Sequence, residues 1–200
     1  MGSLMRFRLD EFIAEFDLKT FVETGTARGD SVAYAAGRAE FQHLLSCEIE
    51  PVLAAGAVCR FNDDPRVNIV RMESGLFMRM VCWSELPPAF FWLDAHYPGA
   101  GFCDRAYDEA MPEEERLPLA RELWEIRRGR LGRDVILIDD LRIYETGDWE
   151  NGPLPVDAPG TPVPGGADWM REMFAATHEA KTILRDQGYL LLIPRFAPVK

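Results

Sequence analysis

Short apolar runs recur along the first 140 residues of the chain, and within each run apolar residues occupy neighbouring positions. The runs cover residues 20–24, 43–47, 67–71, 89–93 and 134–138. Strands with one wet face alternate apolar and polar residues, whereas continuous apolar runs are typical of strands buried on both faces. We therefore predict a doubly wound α/β fold, in which helices cover both faces of a mostly parallel sheet.

Between these runs, apolar residues recur with the three- to four-residue spacing of amphipathic helices. This spacing predicts helices over residues 7–17, 30–39, 52–61, 116–130 and 167–187. Gly188 would end the last helix, and residues 189–193 would form a final strand. His43 and His178 would then lie at a strand start and inside a helix, as structural residues.

Two segments, residues 97–115 and 145–167, show neither an apolar strand run nor the spacing of an amphipathic helix. Both follow predicted strand ends, where ligands bind in open α/β sheets. We expect them to be functional or disordered loops of one domain that spans residues 1–200. Trp149 and Trp169 flank the second loop, and such tryptophans more often pin a loop to the core than line a pocket.

Composition narrows the function classes. The net charge of −11 lacks the basic footprint of proteins that bind nucleic acid. No apolar run is long enough to span a bilayer and nothing resembles a signal peptide, so we expect a cytoplasmic protein without a membrane partner. The chain has four cysteines, Cys47, Cys59, Cys82 and Cys103. Because they show neither CxxC nor Cys/His ligand spacing, we expect reduced thiols that are mostly buried.

The most informative segment is residues 20–31, which reads as a strand followed by a glycine turn and a helix start. Gly25 and Gly29 bracket the turn, and Asp30 or Ser31 can cap the helix. Backbone N–H groups and the positive helix end then meet where a nucleotide or another polar ligand can bind. Glu48 ends the next strand, where a carboxylate binds ribose hydroxyls in Rossmann-like sheets.

Glu23 limits the class of ligand that this turn can bind. Its spacing to the glycines is Glu-x-Gly-x-x-x-Gly, which differs from the dinucleotide pattern Gly-x-Gly-x-x-Gly. A carboxylate at this point would repel a pyrophosphate but could accept hydrogen bonds from an ammonium group. The turn therefore favours a nucleoside attached to an amino acid. The alternative is a purely structural glycine turn with surface acids.

Carboxylates also follow the predicted fourth and fifth strands. Asp94 ends one run, and Asp139 and Asp140 end the other. At one edge of a parallel sheet they would repel each other unless a proton or a cation such as Mg²⁺ or Ca²⁺ lay between them. The alternative is that they cap the next helix or pair with Arg142.

His96 lies two residues beyond Asp94, before Pro98. A histidine that faces a cofactor at a strand end can act as a general base near neutral pH. The alternative is a structural histidine bound to a backbone carbonyl in the turn.

Four segments together resemble the successive motifs of class I S-adenosylmethionine (SAM)-dependent methyltransferases. The segments are residues 23–31, 47–51, 92–96 and 138–140, and the resemblance covers about residues 18–145. The most similar pattern is that of metal-dependent O-methyltransferases, such as catechol O-methyltransferase and the macrolide-sugar O-methyltransferases. The resemblance implies a Rossmann-like fold and Mg²⁺-assisted methylation of an oxygen on a small polar acceptor.

The resemblance also implies roles for individual residues. Glu48 would bind the ribose, and Glu73 and Ser74 would lie near the adenine. Asp94, Asp139 and Asp140 would hold Mg²⁺, and Asp94 would also contact the cofactor and act in catalysis with the base His96. The methionine part would be held around the first turn by Glu23, Thr24, Gly25, Thr26, Gly29 and Ser31.

Two features depart from the pattern. The catechol-type enzymes have Asp-Asn after strand 5, whereas this chain has Asp139-Asp140. The family fold also ends in an antiparallel strand pair, of which only residues 189–193 are clear here. Either the sheet is shortened at this end or residues 195–200 form a short last strand, and a shortened sheet would leave an edge that a second subunit could cover. The rival hypotheses are a binding or regulatory protein that keeps the fold without catalysis, and a nucleotide-sugar or dinucleotide enzyme.

Overall fold

The computed structural model describes residues 3–96, 116–130, 132–154 and 166–196. Within these ranges, strands form a seven-stranded sheet in the order β3-β2-β1-β4-β5-β7-β6. The first five strands are parallel, and β7 runs antiparallel to both β5 and β6. The strands are β1 Thr20–Thr24, β2 His43–Glu48, β3 Val67–Arg71, β4 Ala89–Leu93, β5 Val135–Ile138, β6 His178–Ile183 and β7 Tyr189–Pro194.

In the described part of the chain, one helix precedes β1, and one helix follows each of the first five strands. They are α1 Leu9–Phe16, α2 Asp30–Ala36, α3 Pro51–Arg60, α4 Ser74–Cys82, α5 Leu119–Gly129 and α6 Asp168–Phe174, with 3₁₀ turns at Leu4–Arg6 and Leu141–Ile143. The five predicted parallel strands are confirmed to within about one residue at each end. Helix α4 was not predicted from the sequence. No helix of the described ranges is long and apolar enough to cross a membrane.

The core consists of two apolar layers, one on each face of the sheet. Phe90 and Trp92 of β4 belong to the layer that includes residues of α1 and α2, whereas Phe91 and Leu93 belong to the layer of α4 and α5. Successive side chains of a strand point to opposite faces. Because both faces are covered, every residue of β4 is buried, which explains its continuous apolar sequence.

The sequence prediction was wrong at the C-terminal end. The helix predicted over residues 167–187 ends at Phe174, and the chain returns as strand β6. Strands β6 and β7 form the antiparallel pair, so the sheet is not shortened. His178 accordingly begins a strand instead of lying inside a helix, and Gly188 lies in the β6–β7 connection with φ of 86°. The role of His178 remains structural, because its ring nitrogens contact the Asp134 carbonyl and the Thr177 hydroxyl.

Trp149 packs on the connection between β6 and β7. The indole is buried, and a Cβ added to Gly188 would lie 2.5 Å from it. Trp149 therefore fixes its loop to the core, as expected.

Most of the two predicted functional loops lies outside the described residues, as does Cys103. Of the other cysteines, Cys47 and Cys82 are buried and Cys59 is exposed.

The sheet register brings four strand ends to one edge. Thr24 pairs with Cys47 on one side and with Leu93 on the other, and Leu93 pairs with Ile138. The residues that follow these strands, from the glycine turn to Asp139, therefore lie side by side, at the edge where open parallel sheets bind ligands.

Candidate functional site

The glycine turn after β1 packs against the backbone that follows β4. Gly25 has φ of 82°, and a Cβ at this position would lie 2.7 Å from the carbonyl oxygen of Asp94. The N–H groups of Gly25 and Thr26 donate to the Cys47 carbonyl, each at 3.0 Å. A side chain at residue 25 would therefore clash with backbone and strain the turn. Gly29, with φ of 79°, starts α2, and its missing side chain leaves room for the Phe61 ring.

Glu23 lies beneath this turn and is fully buried. One carboxylate oxygen accepts a hydrogen bond from the Ser31 hydroxyl, and the other accepts one from the Ser46 hydroxyl at 2.6 Å. Ser46 also contacts the Thr26 hydroxyl at 2.5 Å. Burial raises the pKa of Glu23 to about 8, although both serines oppose the shift. Glu23 thus joins the turn to α2 and β2, and its contact with a ligand ammonium group stays a prediction.

Glu48 ends β2 beside the same turn. Its carboxylate accepts hydrogen bonds from the backbone N–H groups of Ala27, at 2.8 Å, and Glu50, at 2.9 Å. These two bonds fix the carboxylate at the rim of the turn. Each carboxylate oxygen keeps further acceptor capacity, so the predicted contact with ribose hydroxyls is compatible with this geometry.

Glu73 and Ser74 begin α4. Glu73 caps the helix, because its carboxylate accepts from the N–H groups of Gly75 and Leu76, at 2.7 and 3.0 Å. Arg121 also contacts the Glu73 carboxylate at 3.0 Å. The Glu73 side chain therefore has a structural role, and the proximity of both residues to an adenine ring stays a prediction.

Asp94, His96 and Asp140 meet at the ends of β4 and β5. The two ring nitrogens of His96 lie 3.4 Å from carboxylate oxygens of Asp94 and Asp140, one on each side. Asp140 also accepts a hydrogen bond from Arg142 Nε at 2.9 Å, the pairing that the alternative hypothesis anticipated. Asp140 has φ of 50°, a left-handed conformation, which turns the chain sharply after β5.

Asp139 lies deeper and is 3% exposed. Its neighbour Asp94 follows β4, which pairs with β5. Burial raises the pKa of Asp139 to about 6, and burial together with the charge of Asp139 raises the pKa of Asp94. Burial and the repulsion between neighbouring carboxylates both disfavour ionisation, so this site carries more acidic groups than it can ionise together.

The predicted metal site is only partly assembled. In the part of the chain that the structure covers, no group of three or more His, Cys, Asp or Glu side chains is arranged to hold a metal ion. Arg142 occupies one side of Asp140, but Oδ1 of Asp139 has no hydrogen-bond partner among these residues. Oxygen donors of this kind suit Mg²⁺, so the donor chemistry fits the ion.

Glu122 of α5 is a candidate residue that the sequence analysis missed. It is 1% exposed and lies near Thr24, Ser74 and His96, which all influence its ionisation. Burial raises the pKa of Glu122 to about 7. The signal was present in the sequence, because Glu122 lies on the apolar stripe of the helix with Leu119, Leu123 and Ile126.

Known structures share this architecture. An O-methyltransferase from Bacillus cereus in complex with S-adenosylhomocysteine (SAH) aligns with a TM-score of 0.59 at 15% identity, over 98% of this chain and 83% of that one. The SAH-bound methyltransferase PaMTH1 of Podospora anserina gives 0.57 at 14% identity, over 98% and 80%. The chain has the class I methyltransferase fold.

A third known structure has the same fold. The O-methyltransferase TomG from Streptomyces achromogenes, involved in tomaymycin synthesis and in complex with SAM, aligns with a TM-score of 0.55 at 18% identity, over 97% of this chain and 81% of that one. No model of a known protein family matches the sequence, and a search of curated proteins finds no match either. At these identities, the structural likeness shows the fold alone.

Proposed function

We propose that this protein is a SAM-dependent methyltransferase that acts on an oxygen of a small polar acceptor. The observation that carries the proposal is the contact between the Gly25 turn and the Asp94 backbone, with no space for a Cβ between them. This contact places the glycine turn directly beside the acidic end of β4. The structural neighbours with the same fold include proteins in complex with SAM or SAH.

Residues of the strand-end edge would hold the cofactor. Glu48, already fixed by two backbone N–H groups, would bind the ribose hydroxyls, and Ser74 would lie near the adenine. The buried hydroxyl of Thr24 has no hydrogen-bond partner in the described structure, so a bound ligand could supply one. We assign Glu23 and Ser31 to holding the shape of the turn. Bound SAM would supply an activated methyl group, and catalysis would then depend mainly on aligning the acceptor.

His96 is the proposed general base for the acceptor hydroxyl. Its position between Asp94 and Asp140 orients the ring and would stabilise the positive charge that the ring gains with a proton. The acceptor is proposed to be a small molecule, because the net charge of −11 does not favour a polyanion such as nucleic acid.

Assistance by Mg²⁺ is a separate part of the proposal. Asp94, Asp139 and Asp140 would hold the ion, which would lower the pKa of an acceptor hydroxyl bound to it. The support for this assignment is that the three carboxyl groups follow β4 and β5, whose ends are neighbours, and that oxygen donors suit Mg²⁺. We expect Asp139→Asn to lower turnover in magnesium to the level of the chelator-treated protein. Unchanged turnover of this variant in both conditions would exclude the metal proposal.

Isothermal titration calorimetry with SAH tests the cofactor assignment directly. We expect SAH to bind the folded protein and NAD to show no binding. No heat of binding at millimolar SAH, in protein shown to be folded by circular dichroism, would refute the proposal. Binding of SAH without methyl transfer to any of a panel of hydroxylated acceptors would instead favour the non-catalytic binding protein.

A further inference from the structure

Helix α5 buries a carboxyl group that the packing of the helix does not require. Glu122 lies on the same helix face as Leu119, Leu123 and Ile126, and this face packs into the core. Its Oε1 has no hydrogen-bond partner among the residues that the structure describes. A buried polar atom without a partner destabilises the folded protein. An apolar residue at this position would avoid that cost.

A small cavity lies beside this carboxyl group. The cavity has a volume of about 10 Å³ and lies between the ends of β4 and β5 and the start of α5. Its polar walls are Glu122, Asp139, His96 and Tyr144. Asp139 faces it with a buried carboxyl whose Oδ1 also lacks a partner in the described part of the chain. The two unpaired carboxyl oxygens therefore belong to groups that line the same space.

The size and chemistry of the cavity suit one water molecule. A single water needs about 10–15 Å³ of such volume and two to four polar partners. A water can donate one hydrogen bond to each carboxyl oxygen, so one molecule would satisfy both unpaired atoms. The cavity is too small for a larger ligand.

We propose that Glu122 is a positioning residue, which holds a buried water molecule against Asp139 and thereby fixes the carboxyl groups that surround His96. This inference rests on the proposed methyltransferase function. Asp139 and His96 line the same cavity, and Asp94 contacts the His96 ring at 3.4 Å. The water thus connects α5 to a carboxyl group beside the proposed base. Glu122 itself does not contact the reacting atoms.

Two substitutions separate this role from simple packing. Glu122→Met replaces the carboxyl group with an apolar side chain of similar length, and Glu122→Gln keeps a group that can bind the water. We expect Glu122→Met to raise the melting temperature, because an apolar replacement for a buried polar group is often stabilising. We expect it to lower kcat by about 10- to 100-fold, as small misplacements of catalytic groups do, and to leave the SAH affinity within about twofold. Glu122→Gln should keep most of kcat.

Glu125 provides a matched control on the same helix. It is also buried, but its carboxylate accepts a hydrogen bond from the Trp83 indole at 3.1 Å, away from the strand ends. We expect Glu125→Met to lower the melting temperature without a change in kcat. A fall in kcat that accompanies a fall in melting temperature for Glu122→Met would mark Glu122 as merely structural and overturn the proposal, as would an unchanged kcat.

A crystal structure tests the water independently of activity. We expect density for one water within hydrogen-bond distance of Glu122 Oε1 and Asp139 Oδ1 at a resolution of about 1.8 Å or better, where ordered waters that bridge polar groups are visible. A dry cavity, or one filled by protein atoms, would overturn the proposal. If the wild-type protein neither binds SAH nor transfers a methyl group, the proposed function fails, and the positioning role fails with it even where the water is present.

Discussion

Replacement of Gly25 by alanine tests the contact on which the proposed site depends. The substitution adds a single methyl group, at a backbone conformation with φ of 82° and 2.7 Å from the Asp94 carbonyl oxygen. The three nearest atoms, at 2.7 to 3.1 Å, all belong to the backbone of Asp94 and Ala95, so no flexible side chain can move aside. The turn and the end of β4 must separate to admit the methyl group.

The expected cost has two parts. A left-handed conformation costs an alanine about 1–2 kcal/mol, and an extra carbon in a packed region costs about 1–3 kcal/mol. Together they lower the free energy of unfolding by about 2–5 kcal/mol. For a chain of this length, 1 kcal/mol corresponds to about 2–4 °C in melting temperature, so we expect a fall of about 10 °C.

Gly152 provides the matched control. It has φ of 77°, but a Cβ there would have no atom of the described residues within 4 Å. Gly152→Ala should therefore show the conformational cost of about 1–2 kcal/mol alone. Urea unfolding measures both variants, and calorimetry with SAH should show a loss of affinity of at least about tenfold for Gly25→Ala only, which is about 1.4 kcal/mol. Equal unfolding free energies for the two variants, or unchanged SAH affinity of Gly25→Ala, would refute the reasoning.

Three further predictions follow from buried polar groups. Ser46→Ala removes a donor to Glu23, so we expect a loss of about 1–3 kcal/mol in urea unfolding. Because the pKa of Glu23 rises to about 8 from an ordinary value of 4.5, folding stability should fall as the pH rises through this interval, and Glu23→Gln should flatten the profile measured by urea unfolding. Asp134→Ala leaves Arg130 buried and unpaired at the opposite edge of the sheet, so it should cost about 3–5 kcal/mol without affecting SAH binding by calorimetry.

The parallel strands could be predicted because burial on both faces requires a continuous run of apolar residues. A strand covered by helices on both faces must be apolar throughout, as β4 and β5 are. The edge strand β6 gives no such signal. Its interior residues from Glu179 to Thr182 are exposed, and Trp169, Met173, Ala176, Ala180 and Ile183 happen to fit a helical spacing as well. Pairing with β7 decides its structure, and this pairing is not visible in a local pattern.

The position of the acidic residues was predictable, but their partners were not. The strand-end rule places Asp94 and Asp139 at one edge, and the register confirms that these ends are neighbours. The arrangement of His96 between Asp94 and Asp140 depends on the turn at Asp140, where φ is 50°. The sequence also did not predict the bidentate pairing of Arg130 with Asp134. An arginine-rich stretch suggests a solvated helix surface, and the buried position of Asp134 beside Arg130 is visible only in the fold.

The alternation of β1 places the side chains of Glu23 and Thr24 on opposite faces of the sheet. Phe21 packs in the layer of α1 and α2, and Glu23, two residues later, points to the same face and meets Ser31 of α2. Thr24 points to the other face, towards Glu122 of α5. Glu23 therefore supports the glycine turn from the face of α1 and α2. The buried carboxyl group on the opposite face, where the proposed chemistry takes place, is that of Glu122, almost 100 residues later in the chain. Substitution of Glu23 should accordingly lower stability and cofactor affinity together, whereas substitution of Glu122 should lower turnover with cofactor affinity nearly unchanged.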